Sequence, residues 1–451
     1  MDQMSFPPEE YRARRQKVLE AIGDGAVAVL QGADSTKASG LFRQDNEFYY
    51  LSGIEVPHAY LLLDGRSGRS ILLLPRESQI EREHDGFVPS ADAPERVAEM
   101  TGVDEVLGVE HLAGRLRNAK VAYTPFRPGQ GLNMTYGTLA QWDSGVLSDP
   151  WDGRLNRSAN LIRLLRGRFA HLELRDLLPI VEEMRLVKSE REVARLRRAG
   201  RLTAEGVREA MRCTRPGVME YQLGAVLQYH YLAGGARGVG YHPIIAGGAN
   251  AWHGHYKRND SPLADGDWVL CDCAPDYRYY TSDIGRMWPV GGTYSPVQRE
   301  LYGFVVEYHK VLLAGIRPGR TCDEIHDEAA EAMRKVLEGW DFSSPLYEAA
   351  ARRMFEFRGH LSHSVGMCVH DGGGHRLRPL EKGIVFSVDP QMRVPEERLY
   401  IRAEDTVAVT DDGIENLTAD APLELDDVEA FMRQEGLLQA FPPVSFDGAG
   451  N

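Results

Sequence analysis

Apolar and polar positions alternate with two different periods along the chain, and the switches between those periods outline its elements. Residues Pro8 to Ile22 carry a polar, then amphipathic helical pattern, and strand-like runs follow around Ala26 to Gln31, Glu47 to Leu51, Ala59 to Leu63 and Ser70 to Leu74. A helical run near Ala93 to Met100 and a strand at Lys120 to Tyr123 extend the series, so this half reads as an α/β domain. Pro, Gly, Asn and Asp are dense from Pro125 to Arg157, which predicts mostly loop. Helical patterns at Leu172 to Met184 and Lys188 to Met211 mark the passage into a second domain, with the boundary between Arg168 and Lys188.

The second half repeats itself weakly. The stretches AGRLTAEGVREAMRCTRPGVMEYQLGAVLQYHYLAGG and FVVEYHKVLLAGIRPGRTCDEIHDEAAEAMRKVLEG both read as helix, Arg-Pro-Gly, helix, and β-like segments follow each copy. Pro and Gly end the first helix of each pair, at Arg215-Pro216-Gly217 and Arg317-Pro318-Gly319. The tripeptide alone recurs by chance often enough; the matching order of elements favours a duplication with a site on a pseudo-twofold axis. The predicted organisation is an α/β domain over residues 1–175, a duplicated α+β domain over 176–430 and a tail over 431–451. After Pro422 the pattern predicts one helix from Glu424 to Glu435, then a mobile end.

Length and charge fit that picture. At 451 residues the chain exceeds one ordinary core, and a net charge of -14 argues against nucleic acid or an anionic membrane as partner. No run approaches membrane-spanning length, and the N-terminus lacks the apolar core of a signal peptide, so the reading is a soluble cytoplasmic protein. Cys213, Cys271, Cys273, Cys322 and Cys368 are odd in number and form no C-x-x-C motif, which suits a reducing compartment.

The candidate chemistry lies in five side chains, Asp272, Asp283, His363, Asp389 and Glu404, on segments that read as strands. In WVLCDCAPDYRYYTSDIGRMW two β-rich runs flank a turn; with the turn centred between Tyr277 and Arg278, Asp272 lies opposite Asp283 on one face. Two carboxylates so placed repel unless a cation lies between them. Cys271 and Cys273 flank Asp272 and, by strand alternation, face away from it as small buried hydrophobes. The segment RGHLSHSVGMCVHDGGGH holds His360, His363, His370 and His375; a bend near Gly366 is needed to bring His363 and His370 into one site, while His360 and His375 read as packing residues. Asp389 closes one β-like run, Glu404 lies within the next, and Arg402 shares the face of Glu404. Four carboxylates and one imidazole suit Mn²⁺, with Zn²⁺, Co²⁺ or Fe²⁺ also compatible, and so much negative charge can hold two divalent ions that activate water for hydrolysis.

These motifs resemble a known family over nearly the whole chain. DCAPDYRYYTSDIGR resembles the D-x(10)-D signature of the pita-bread (creatinase/aminopeptidase) metallopeptidases, HLSHSVGMCVHD is similar to their histidine motif, and YIRAEDTVAVTDDGIENLT resembles their closing strand. FRQDNEFYYLSG is similar to the N-terminal domain motif of the aminopeptidase P branch. The resemblance implies a pita-bread catalytic domain behind the α/β domain. It also implies a two-ion site held by Asp272, Asp283, His363, Asp389 and Glu404, with Asp283 and Glu404 bridging. His370 would then contact substrate and stabilise the tetrahedral intermediate, His255 would line the pocket with His253 as its rival, and Arg402 would support the ligands. One position departs: the family's Glu-Pro-Gly stands here as Asp389-Pro390-Gln391, about 1.5 Å shorter in reach.

The implied activity is removal of an N-terminal residue that precedes proline, by a metal-bridging hydroxide with Glu404 as proton shuttle, in a homodimer or homotetramer. An Xaa-Pro dipeptidase (prolidase) shares the ligand set, and a creatinase-like hydrolase would act without metal. A non-catalytic peptide-binding homologue is favoured by Asp389 alone.

Overall fold

The computed structural model describes residues 5–34, 42–78, 83, 87–131 and 135–442. The chain separates into two compact units, one ending at Arg185 and the other beginning at Leu186.

The first unit is built on a six-stranded sheet of order β4-β3-β2-β1-β5-β6, with β1 (Ala26–Gln31), β2 (Tyr60–Asp64), β3 (Arg69–Leu74), β4 (Glu105–Gly108), β5 (Val121–Thr124) and β6 (Glu173–Asp176). The first three strands form an antiparallel meander, whereas β1 with β5, β5 with β6 and β3 with β4 run parallel. Helix Pro8–Ile22 opens with proline in its first turn, where no backbone N–H is needed.

Three expectations fail in this unit. Glu47 to Leu51, expected as a strand, lies in helix Asn46–Ser52. Its β-prone aromatics yield to tertiary context: the helix buries Phe48, Tyr49 and Tyr50, and the Glu47 carboxylate accepts from Arg185 (3.3 Å), the Gln130 amide (3.0 Å) and the Tyr136 hydroxyl. The stretch from Pro125 to Arg157, expected as loop, contains helix Tyr136–Ser148, started by the Thr135 hydroxyl accepting from Thr138 N at 3.1 Å; residues 132–134 lie outside the described residues. The helix expected over Leu172 to Met184 begins instead as edge strand β6, and the helix proper spans Leu178–Leu186. Residues 173–176 add to the sheet through parallel hydrogen bonding with β5, a long-range pairing that helical periodicity does not report.

The second unit carries the duplication. Helices Glu190–Cys213 and Glu220–Ala233 form one pair, Pro296–Gly315 and Cys322–Glu338 the other. Ser189 with Glu192 and Ser295 with Gln298 close capping boxes at corresponding helix starts. Gly217 and Gly319 both take the left-handed region (φ 87° and 84°), which explains why a glycine recurs after each proline. After the first pair comes a sheet of order β7-β8-β9 (Ile244–Gly247, Trp268–Asp272, Gly285–Pro289). After the second come β10-β11-β14-β15 (Leu361–Ser364, Val385–Val388, Asp405–Val409, Ile414–Asn416) and the ribbon β12-β13 (Gln391–Val394, Leu399–Arg402). Leu227, Trp288, Phe304 and Phe386, drawn from both copies, belong to one buried core.

The single helix expected over Glu424 to Glu435 is shorter, Leu425–Met432, and a second turn of helix follows at Leu437–Ala440. The Leu437 amide donates to Glu209 at 2.6 Å, and a Cβ on Gly436 would lie 2.8 Å from the Cys213 sulfur, so only glycine allows this approach. The end expected to be mobile, residues 443–451, lies outside the described residues.

Candidate metal centre

The scaffold of the site is the β8–β9 hairpin, and its register differs from expectation. Asp272 pairs with Gly285 rather than Asp283, because Tyr277 and Tyr280 exchange backbone hydrogen bonds (2.8 and 3.1 Å) around a turn centred on Arg278-Tyr279. Both central residues have positive φ (52° and 73°), the geometry of a type I′ turn, and Asp276 accepts from the Tyr279 amide at 3.1 Å to hold it. Sequence alone favours such a turn at Asn-Gly, so Arg-Tyr was not recognisable as its centre. The shift is two positions along β9, so Asp283, diagonal to Asp272, still faces the same side.

Glu404 adds a third segment to this row. It sits in the break between β13 and β14, not within a strand, and exchanges backbone hydrogen bonds with Gly285 (3.2 and 2.9 Å). Gly285 thus lies between Asp272 and Glu404, and a Cβ there would come within 3.0 Å of Glu404 and 3.1 Å of Arg402. Asp283 lies just before β9 and Asp389 just after β11, so only Asp272 and His363 are on strands, unlike the expected placement of all five.

The five residues converge. His363 Nε2 lies 3.3 Å from Asp283 Oδ2, and one ligand atom from each of Asp283, His363 and Glu404 falls within a 4.8 Å span. Arg402 contacts Asp272 directly, Glu404 at 3.5 Å and Asp389 at 3.7 Å. All four carboxylates are buried. Burial, then the charge of Glu404, holds the Asp283 and Asp389 carboxyls well above their ordinary range. For Asp272 burial acts in the same direction but is outweighed by Arg402 and a hydrogen bond from Tyr241, which leave it below its ordinary value.

Four carboxylates face one guanidinium, so protein charge alone does not neutralise the cluster. Asp389 Oδ1 and Glu404 Oε2 are buried without a hydrogen-bond partner. Buried carboxylate oxygens that accept no hydrogen bond, beside an imidazole, are the donor set of a divalent cation, and the residues fit one.

His370 is brought to the site by the bend at Gly366, whose amide bonds the Cys368 carbonyl at 3.1 Å; the His363 and His370 ring centroids are 3.8 Å apart. His370 opens to solvent on one side, and its protein surroundings, then the charges of His363 and His255, lower its pKa. His255 and His253 are both exposed, and the charge of His255 is among those that act on His370. His360 and His375 are buried packing residues: His360 Nε2 donates to the Met354 carbonyl at 2.8 Å, and His375 stacks on Phe386 with centroids 4.8 Å apart. The Cys271 and Cys273 sulfurs lie 3.7 Å apart in the core.

Sequence reasoning missed several supports. The Tyr241 hydroxyl sits within hydrogen-bond distance of Asp272 Oδ1 (2.6 Å) and Asp283 Oδ1 (2.5 Å), Ser387 donates to Glu404, and the Thr406 hydroxyl accepts from Asp283 N at 2.7 Å. Behind the row, Asp405 accepts from Arg286 (2.7 Å) and Thr418 (2.6 Å) and meets His309 (2.8 Å), all buried. Tyr241 follows no local pattern; Arg286, in the D-I-G-R run, was the one visible signal.

Fold and site together define a metallopeptidase. The chain matches metallopeptidase family M24 over residues 194–411 and the aminopeptidase P N-terminal domain over residues 11–124. The Xaa-Pro aminopeptidase of Escherichia coli (strain K12) is 32% identical over 452 residues, covering 94% of this chain and 97% of that one. Among solved structures, proline aminopeptidase P II from Yersinia pestis superposes with a TM-score of 0.75 at 31% identity, covering 95% and 99% of the two chains. A zinc-substituted E. coli aminopeptidase P with bound product gives 0.75 at 29% identity, covering 95% and 98%. The chain therefore belongs to the M24 family, in its Xaa-Pro aminopeptidase branch, and the expected pita-bread architecture is present.

Proposed function

We propose that this enzyme hydrolyses the bond between an N-terminal residue and a following proline in peptides. The convergence of Asp283, His363 and Glu404 on one point beneath His370 carries the reading. Asp272, Asp283, His363, Asp389 and Glu404 would hold two divalent ions, and the oxygen-rich set favours Mn²⁺, although a relative accepts zinc. Such ions supply Lewis acidity and a water acidified to near-neutral pKa.

The protein's own groups do the rest. A neutral His370 offers one N–H to the scissile carbonyl oxygen, stabilising charge as it develops. Glu404, held by Ser387 and Arg402, accepts a proton and delivers it to the proline nitrogen. The substrate's ammonium group is attracted by the acidic cluster, and His255 lines the approach. Proline brings no amide N–H, so its recognition rests on shape.

Five buried cysteines, none of them in a disulfide, support a reducing, cytoplasmic location. Among the described residues no helix is long and apolar enough to cross a membrane. Family likeness supports a homodimer or homotetramer. Metal-loaded protein that releases the first residue of an Xaa-Pro-Yaa tripeptide supports the assignment; cleavage of Xaa-Pro dipeptides alone makes it a prolidase, and no cleavage of either overturns it.

A further inference from the structure

The ribbon β12-β13 carries a cation that the mechanism does not use. Arg393 pairs with Tyr400 and Gln391 with Arg402, so Arg393, Tyr400 and Arg402 share one face of the ribbon while Met392 and Val394 are buried on the other. Arg402 reaches the carboxylates of the metal centre. Arg393 is solvent-exposed.

Its position is built. The guanidinium carbon lies 4.2 Å from the Tyr400 ring centroid and 5.5 Å from that of Trp252. Nη2 would be 3.6 Å from a Cβ on Gly254, the residue immediately before His255. The aromatic faces hold the cation's plane and leave its N–H edge free. Among the described residues no carboxylate lies within 4 Å of it. The Tyr400 hydroxyl is pushed up to about 12 by burial, and the charges acting on it are those of Arg402, Asp389, Glu404 and Arg393. This face of the ribbon thus runs from the acidic centre, past the buried Arg402 and Tyr400, to the exposed Arg393.

That polarity matches a short peptide in one orientation, with its ammonium end at the acids and its carboxylate at the arginine. Along β13, Tyr400 and Arg402 are two residues apart, about 7 Å. A peptide carboxylate two residues beyond the cleaved carbonyl lies at about the same distance. Resting on the proposed function, we infer that Arg393 binds the C-terminal carboxylate of the substrate and makes the enzyme selective for tripeptides of the form Xaa-Pro-Yaa. Because this contact is the same before and during reaction, it acts on KM.

The test compares Ala-Pro-Ala with its C-terminal amide on the Mn²⁺-loaded wild type, Arg393→Met and Arg393→Lys. The wild type is expected to favour the free acid by about tenfold, through KM with kcat unchanged, as for a charge-assisted contact. Arg393→Met should cleave both peptides alike and Arg393→Lys should keep part of the preference. Equal cleavage of both by the wild type, or a preference that survives in Arg393→Met, overturns the inference while leaving the aminopeptidase assignment intact. Calorimetric binding of Pro-Ala and Pro-Ala amide gives the same comparison without catalysis. A protein that cleaves neither peptide contradicts the proposed function, and the binding arm still decides the role of Arg393: tighter binding of the acid, lost in Arg393→Met, supports it, and equal binding refutes it.

Discussion

Gly285 and Glu404 clasp each other through two backbone hydrogen bonds, and the glycine is there because a methyl group would press on the Glu404 side chain at 3.0 Å. Gly285→Ala must push Glu404 or Arg402 aside by a few tenths of an ångström. The expected outcome is a stability loss of about 1–3 kcal/mol and a fall in kcat of about tenfold or more, read by denaturant unfolding and tripeptide kinetics. Unchanged kcat would show that Glu404 tolerates displacement.

Tyr241 lies against both Asp272 and Asp283. Removing its hydroxyl in Tyr241→Phe frees two carboxylates to reorient without disturbing the ring. Metal affinity should weaken about 10–100-fold, as for other groups that orient ligands, while thermal stability of the metal-free protein changes little. Metal titration followed by calorimetry checks both parts.

Asp405 is a structural acid next to Glu404, one of the candidate metal ligands. It is buried between Arg286, His309 and Thr418, and Arg286 also donates to the Glu404 carbonyl. Asp405→Ala leaves a buried guanidinium unpaired, at a cost of about 3–5 kcal/mol. The same substitution at Asp411, paired with Lys382 on the surface, should cost under about 1 kcal/mol. Parallel denaturant curves of the two variants decide.

Acid should destabilise this enzyme through histidines outside the metal centre. Burial holds His326 and His375 near pKa 3 and His360 near 4, against an unfolded value near 6.5. Each is neutral in both states above the unfolded value, so its contribution is fully present there. As pH falls below 6.5 the unfolded chain takes up protons that the folded chain refuses, and stability drops until the folded values are reached. Each histidine adds a slope of up to about 1.4 kcal/mol per pH unit. Unfolding free energies between pH 7 and 4.5 should decline, and His360→Gln should flatten the curve; a flat wild-type profile would contradict this.

Much of the site was legible because its residues break local rules. Acids inside apolar β-like runs demand a partner, so Asp272, Asp283, Asp389 and Glu404 could be named before any contact was known. The helix–Arg-Pro-Gly–helix repeat was equally plain. What escaped depended on distant contacts: the helix at Asn46–Ser52, the start of β6 and the ring of Tyr241, each decided by a partner far along the chain. The hairpin register failed for a local reason, since Arg278 and Tyr279 adopt positive φ that their side chains disfavour.

The most direct measurement is metal content by mass spectrometry on dialysed, Mn²⁺-loaded protein, paired with cleavage of Ala-Pro-Ala and Ala-Pro. Two ions per chain are expected, with the tripeptide cleaved, the activity abolished by chelation, and both lost together in Asp283→Ala. Protein that holds no divalent ion, or that cleaves the tripeptide equally well after complete chelation, would contradict the account.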